Sequence, residues 1–120
     1  MFNKVYINNI TKYLPNDPVA NEDMETILGM VNNKPSRSKN IVLRQNGIKK
    51  RYYVINKDRV IKYSNADISA LAIKQLENKD FSNKDIEALC CGTSIADQLI
   101  PSHASMVHGK LNNKPVEIFS

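Results

Sequence analysis

The chain has 120 residues, 42% of them hydrophobic and 24% charged, which is enough for one domain with a core of its own. No run of 18 apolar residues occurs, so no segment reads as a membrane-spanning helix. The net charge of +5 is unevenly spread: between Lys34 and Lys62 ten Lys or Arg meet a single acid, Asp58, a local balance of +9, while the remainder sums to −4. Such an excess points either to an acidic partner (nucleic acid, a phosphorylated cofactor or an acidic protein) or to a solvated basic face.

The first ten residues lack the long apolar core and small-residue cleavage site of a signal peptide. Cys90 and Cys91 are adjacent; a vicinal bridge closes a strained ring, so free thiols and a cytoplasmic location are expected.

In chain order, residues 4–10, "KVYINNI", read as a short strand, stopped by Pro15 and Pro18. Asn21 is placed to cap a helix through "EDMETILGMV", whose acids favour its first turn and whose Met24, Ile27, Leu28 and Val31 form one apolar face. A shorter helix through "KNIVLRQN" should stop at Gly47. "IKKRYYVI", 48–55, reads as a strand with one wet face.

Ser64 and Asp67 open a third helix in the manner of a capping box. Its stripe is expected to run through Ile68, Leu71, Ala72 and Gln75, widened by Ala66, Ala70 and Ile73, and so many small residues imply close packing on another element. "IEALCCGT" has the continuous apolar character of a strand buried on both faces of a largely parallel sheet. A last helix runs from Pro101-Ser102 to about Leu111, and "PVEIF" is one more strand. The order β, α, α, β, α, β, α, β predicts an α/β fold: a mixed, largely parallel sheet with helices packed on its faces. Ending at Phe119-Ser120, on a strand with no following turn or helix, the chain reads as one cut short.

The stretch "LCCGTSIADQLIPSHASMVHGKL", 89–111, gathers thiols, imidazoles and a carboxylate. Spacing speaks against a metal site. Neighbouring cysteines on a strand point to opposite faces, and His103 and His108, five apart, are separated by roughly 140° on a helix. A nucleophilic cysteine needs an electropositive, open setting, whereas these two sit in an apolar run, where a thiol behaves as a small hydrophobe. His108 shares a face with Ala104, Val107 and Leu111 and is expected to point inward with one hydrogen-bond partner.

The ordered set "YLPNDPVANEDM", "NGIKKRYYV", "ADISALAIKQLENK" and "IEALCCGTSIADQLIPSHASMVHGKL" resembles the thiolase-fold condensing enzymes, and within them β-ketoacyl-acyl-carrier-protein synthase III, from about residue 4 to the end of the chain. The resemblance implies that residues 1–120 are the N-terminal part of a thiolase-like ketosynthase domain. In that family the nucleophilic cysteine follows the strand that "VEIF" resembles, and the catalytic His and Asn lie in the second half of a longer chain. It therefore implies that Cys90, Cys91, His103 and His108 are scaffold positions and that these 120 residues hold no catalytic residue and no activity by themselves. The whole enzyme would be an acyltransferase, working by decarboxylative Claisen condensation in fatty-acid or related lipid or secondary-metabolite synthesis, as a homodimer using acyl-carrier protein or acyl-coenzyme A. No cofactor or metal is expected.

Ile100, the apolar residue before Pro-Ser, resembles the family position that reaches across the dimer and closes the partner's acyl pocket. The family's coenzyme A primer clamp, a Trp and an Arg, aligns on Ile41 and Gln45, with Arg44 beside the second. An aliphatic and an amide supply no stacking or cation–π contact, which favours a carrier-protein donor approaching over Arg44, Lys49 and Arg51. Two other readings compete: a non-catalytic dimerisation partner of a ketosynthase, and a small basic nucleic-acid-binding module built on Lys49–Tyr53. Strand alternation argues against the second, because Tyr52 and Tyr53 cannot form one stacking platform.

Overall fold

The structure, a computed structural model, describes residues 4–120. It divides into two compact units, Leu14–Tyr63 and the flanking residues 4–13 with Ser64–Ser120. The division is also one of charge: Leu14–Tyr63 carries ten Lys or Arg against five acids, whereas the flanking unit holds seven of each.

Within Leu14–Tyr63, β1 (Val19–Ala20) pairs antiparallel with β2 (Lys50–Arg51), Val19 opposite Arg51. Between them lie α1 (Met24–Leu28) and α2 (Lys39–Asn46). The first helix is shorter than its apolar periodicity predicts. Gly29 leaves the helical region at φ 88° and ends it before Val31, a conformation that costs glycine little and a side chain more. Nor does Asn21 cap it: the N-cap is Asp23, with no side-chain bond, while Asn21 donates to the Ile48 carbonyl and accepts from Arg51. The second helix matches its predicted span and stops on Gly47 in the left-handed region, φ 67°. Glu25 receives both the Lys39 ammonium, at 2.8 Å, and the Ser36 amide, and these two donors, Lys39 first, hold its carboxyl below the ordinary value.

The predicted strand 48–55 contracts to two residues, since only Lys50 and Arg51 pair in a ladder, with Ile55 making an isolated bridge to Ile61. Beyond it Asn56 folds the chain back, its side-chain oxygen accepting the Asp58 and Val60 amides.

In the flanking unit, β3 (Ala88–Cys90) and β4 (Glu117–Phe119) are parallel, with Leu89 opposite Ile118 and α4 (His103–Leu111) as the crossover. This is the expected β-α-β step. The α4 helix packs on α3 (Asn65–Lys74). Ser64 and Asp67 form the predicted capping box. The buried stripe of α3 is Ala66 and Ala70, 1% and 2% exposed, continued by Ile73, and not the predicted Ile68–Leu71–Ala72–Gln75. The two alanines meet Val107 and Leu111 of α4, with Leu89 of β3 between the layers. Burying each of the three larger side chains contributes about 1.5–3 kcal/mol over leaving it in water. A small-residue face lets the helix backbones come close, and this selects the alanine stripe over the bulkier one.

Two predictions about strands are corrected. Residues 4–10 are not a strand: they find no partner backbone, and Val5 and Ile7 stay exposed, although Thr11 Oγ1 ties the segment to the Ala72 carbonyl at 2.7 Å. The strand at 88–90 is not buried on both faces, because α3 and α4 cover one face only. Leu89 points into the core while Ala88 and Cys90 are exposed.

Asp67 also accepts Lys110 Nζ at 2.6 Å. That bond first, and then the Ser64 amide and hydroxyl, pull its carboxyl from 3.8 to about 2. With the folded value below the unfolded one, its stabilisation is fully present above pH 4 and is lost as pH falls toward 2. The group is a third exposed, so solvent screening keeps the contribution near 1 kcal/mol. Asp67→Asn should therefore cost about 1 kcal/mol in urea unfolding at pH 7, with the gap to the parent closing between pH 4 and pH 2; a gap independent of pH would refute this account.

Candidate functional site

The segment from Cys91 to Ser102 joins β3 to α4 and carries Ile100. Its backbone is irregular, yet it is anchored along its length. The Cys91 amide bonds the Phe119 carbonyl at 3.0 Å, the last rung of the parallel ladder. In the middle, Asp97 reaches the start of α3, taking the Asn65 amide on Oδ1 at 2.7 Å and the Ala66 amide on Oδ2 at 2.9 Å. Those N–H groups have no partner inside the helix, and a negative charge there meets the positive end of the helix dipole. Burial of Asp97 opposes its ionisation, but the Ala66 and Asn65 donors outweigh it and hold the carboxyl below the ordinary value. The Asn65 side chain adds bonds to Thr93 Oγ1 and the Ile95 carbonyl. At the far end Ser102 caps α4 through the Ser105 amide.

So held, the loop turns its apolar side chains outward. Ile95 is 80% exposed, Leu99 95% and Ile100 86%. Apolar side chains held in water on backbone this well tied mark the loop as a candidate interaction surface. Periodicity could not reveal the role of Asn65 or of Asp97, since their partners are 28 to 32 residues away.

The basic residues separate. Arg44, at the end of α2, and Lys49 are exposed and line one groove of about 360 Å³ with Asn21, Glu22 and Asn40. Arg51 is not on its walls: half-buried, it bonds Asn21 Oδ1 and Met24 Sδ. Ile41, Arg44 and Gln45 share a neighbouring hollow of about 350 Å³ with no aromatic side chain on it. Tyr52 is exposed, whereas the Tyr53 hydroxyl is buried without a partner, so the two tyrosines offer no common stacking face.

The histidines do not converge. His108 is half-buried, with Nε2 3.0 Å from the Lys114 carbonyl, the single partner expected of it; His103 is the buried one, 5% exposed. Among the described residues no three His, Cys, Asp or Glu side chains come together as a metal site requires.

Comparison with known proteins follows the same pattern. No family model matches the chain. It is 27% identical over 111 residues to the beta-ketoacyl-[acyl-carrier-protein] synthase III of Chlorobaculum tepidum, an alignment covering 92% of this chain and 31% of that protein. A tetronic acid condensing enzyme superposes with a TM-score of 0.67 at 22% identity, over 92% of this chain and 33% of that one. The chain is synthase III-like, with the fold of a condensing enzyme. It spans about a third of the length of the relatives it matches.

In this synthase III-like chain the cysteines are not equivalent, and the expectation that both thiols are buried is corrected. Cys90 is exposed on the uncovered face of the sheet, while Cys91 packs against the core. Burial first, and then the neighbouring Cys90, push the Cys91 thiol above its ordinary value. Maleimide should therefore label the native Cys91→Ser variant rapidly and the native Cys90→Ser variant at least about tenfold more slowly, with the difference vanishing in denaturant. Equal native rates would show that burial does not distinguish the two thiols.

Proposed function

We propose that the chain is the N-terminal portion of a synthase III-like acyltransferase that extends an acyl group by decarboxylative Claisen condensation, in the cytoplasm, as a homodimer. The observation that carries this reading is the Asp97-anchored loop with Leu99 and Ile100 held out to solvent, on a chain whose relatives by sequence and by fold are condensing enzymes. In this reading Ile100 crosses to the partner subunit and closes its acyl pocket. The nucleophile belongs to the second part of the enzyme, so the 120 residues by themselves form no acyl-enzyme.

The donor is an acyl-carrier protein. Arg44 and Lys49, exposed on one groove of the basic unit, meet its acidic surface, and Arg51 supports that groove by holding Asn21. The hollow that Ile41 and Gln45 share with Arg44 lacks the aromatic face that an adenine ring would stack on.

In the complete enzyme, Arg44→Glu with Lys49→Glu should raise the apparent KM for acyl-carrier protein about tenfold and leave kcat within about twofold, because charge on the approach surface acts on encounter and not on the chemical step. The effect should fade with salt over a Debye length of about 8 Å. Arg51→Ala should instead lower stability. An unchanged KM in the double variant, with loss of single-stranded RNA binding, would replace the carrier protein by nucleic acid as the partner of this groove.

A further inference from the structure

His103 opens α4 and is among the most buried polar residues of the chain. Its Nε2 lies 3.3 Å from Ser69 Oγ, on α3. The Ser69 hydroxyl has one proton and donates it to the Asn65 carbonyl at 2.9 Å, so toward the imidazole it can only accept. The ring proton is therefore on Nε2. Nδ1 is buried and without a partner, so Ser69 is the imidazole's hydrogen-bond partner.

The chain of bonds does not end at Ser69. Asn65, whose carbonyl takes the Ser69 proton, is also the residue on which the loop hangs, through its amide to Asp97 and its side chain to Thr93 and Ile95. In sequence His103 stands three residues after Ile100. The far end of the loop and its middle thus converge on the first turn of α3, one through the imidazole and the other through the carboxylate.

We propose that His103, donating from Nε2 to Ser69 Oγ, is a positioning residue that clamps the Thr93–Pro101 loop to α3 through Ser69 and Asn65 and so fixes how Leu99 and Ile100 are presented. The clamp stands on the geometry alone. Its consequence for acyl-chain selection rests on the reading of Ile100 as the wall of the partner's pocket.

Two substitutions separate this role from mere space filling. Glutamine carries an amide N–H at the reach of Nε2 and asparagine does not. His103→Gln should keep the hydrogen-exchange protection of the Asn65 and Ala66 amides within about twofold, whereas His103→Asn should lose about fivefold or more, the weight of one buried hydrogen bond. If His103→Asn fails to fold, Ser69→Ala removes the acceptor, leaves the imidazole in place and should show the same loss. Nitrogen-15 NMR of the parent should show Nε2 protonated. An Nδ1–H tautomer, or equal protection in the Gln and Asn variants, overturns the clamp. In the complete enzyme His103→Asn should broaden the range of acyl lengths accepted while His103→Gln preserves it. Loss of amide protection with no change in acyl range would uphold the clamp and overturn the reading of Ile100.

Discussion

The carboxylate of Asp97 on the first-turn amides of α3 is the contact on which the loop depends. A helix begins with N–H groups that no residue of its own turn can satisfy. In α3 the Asp67 amide is taken by Ser64, but the Asn65 and Ala66 amides are satisfied from across the fold. Asp97 is exposed, so solvent screens these charged hydrogen bonds, and with the helix dipole they contribute about 1 kcal/mol. That is enough to hold an irregular segment with apolar side chains in water. Without this charge both the start of α3 and the middle of the loop would lose their partners together.

Packing sets the other two fixed points. The alanine face of α3 brings α4 close, and Val107, Leu111 and Leu89 fill the space between helix pair and sheet. The ladder carries that order to Cys91, where the loop begins, and the Ser102 cap carries it to where the loop ends. A segment tied at its start, middle and end has little conformational freedom left to lose.

The basic unit answers to a different constraint. Its cations are mostly not neutralised locally: Lys39 finds Glu25 and Arg51 is occupied by Asn21, while Arg44 and Lys49 stay exposed on one groove. Charges of one sign gathered in so short a segment set up a positive potential that acts at long range. The surface geometry then decides which cations line the groove and which hold it in shape.

Much of this was legible in the residues themselves because it is local. The Ser64–Asp67 box, the stop at Gly47, the Ser102 start of α4, the parallel strands at 88–90 and 117–119 and the concentration of charge between Lys34 and Lys62 each rest on neighbours a few positions apart. Ordered motifs over nearly the whole length carried the likeness to the condensing enzymes. What required the tertiary structure was pairing and coverage. Residues 4–10 have the composition of a strand, but a strand also needs a partner backbone, and composition does not supply one. Cys90 and Cys91 sit in the same apolar run, yet helices cover one face of the sheet only, so one thiol is half-buried against the core and the other is exposed. On α3 two apolar stripes competed, and the closeness of α4 selected the alanines. His103 and Asp97 owe their roles to partners some 30 residues distant, a separation that no periodicity in the sequence encodes, because only the folded chain brings those atoms within hydrogen-bonding range.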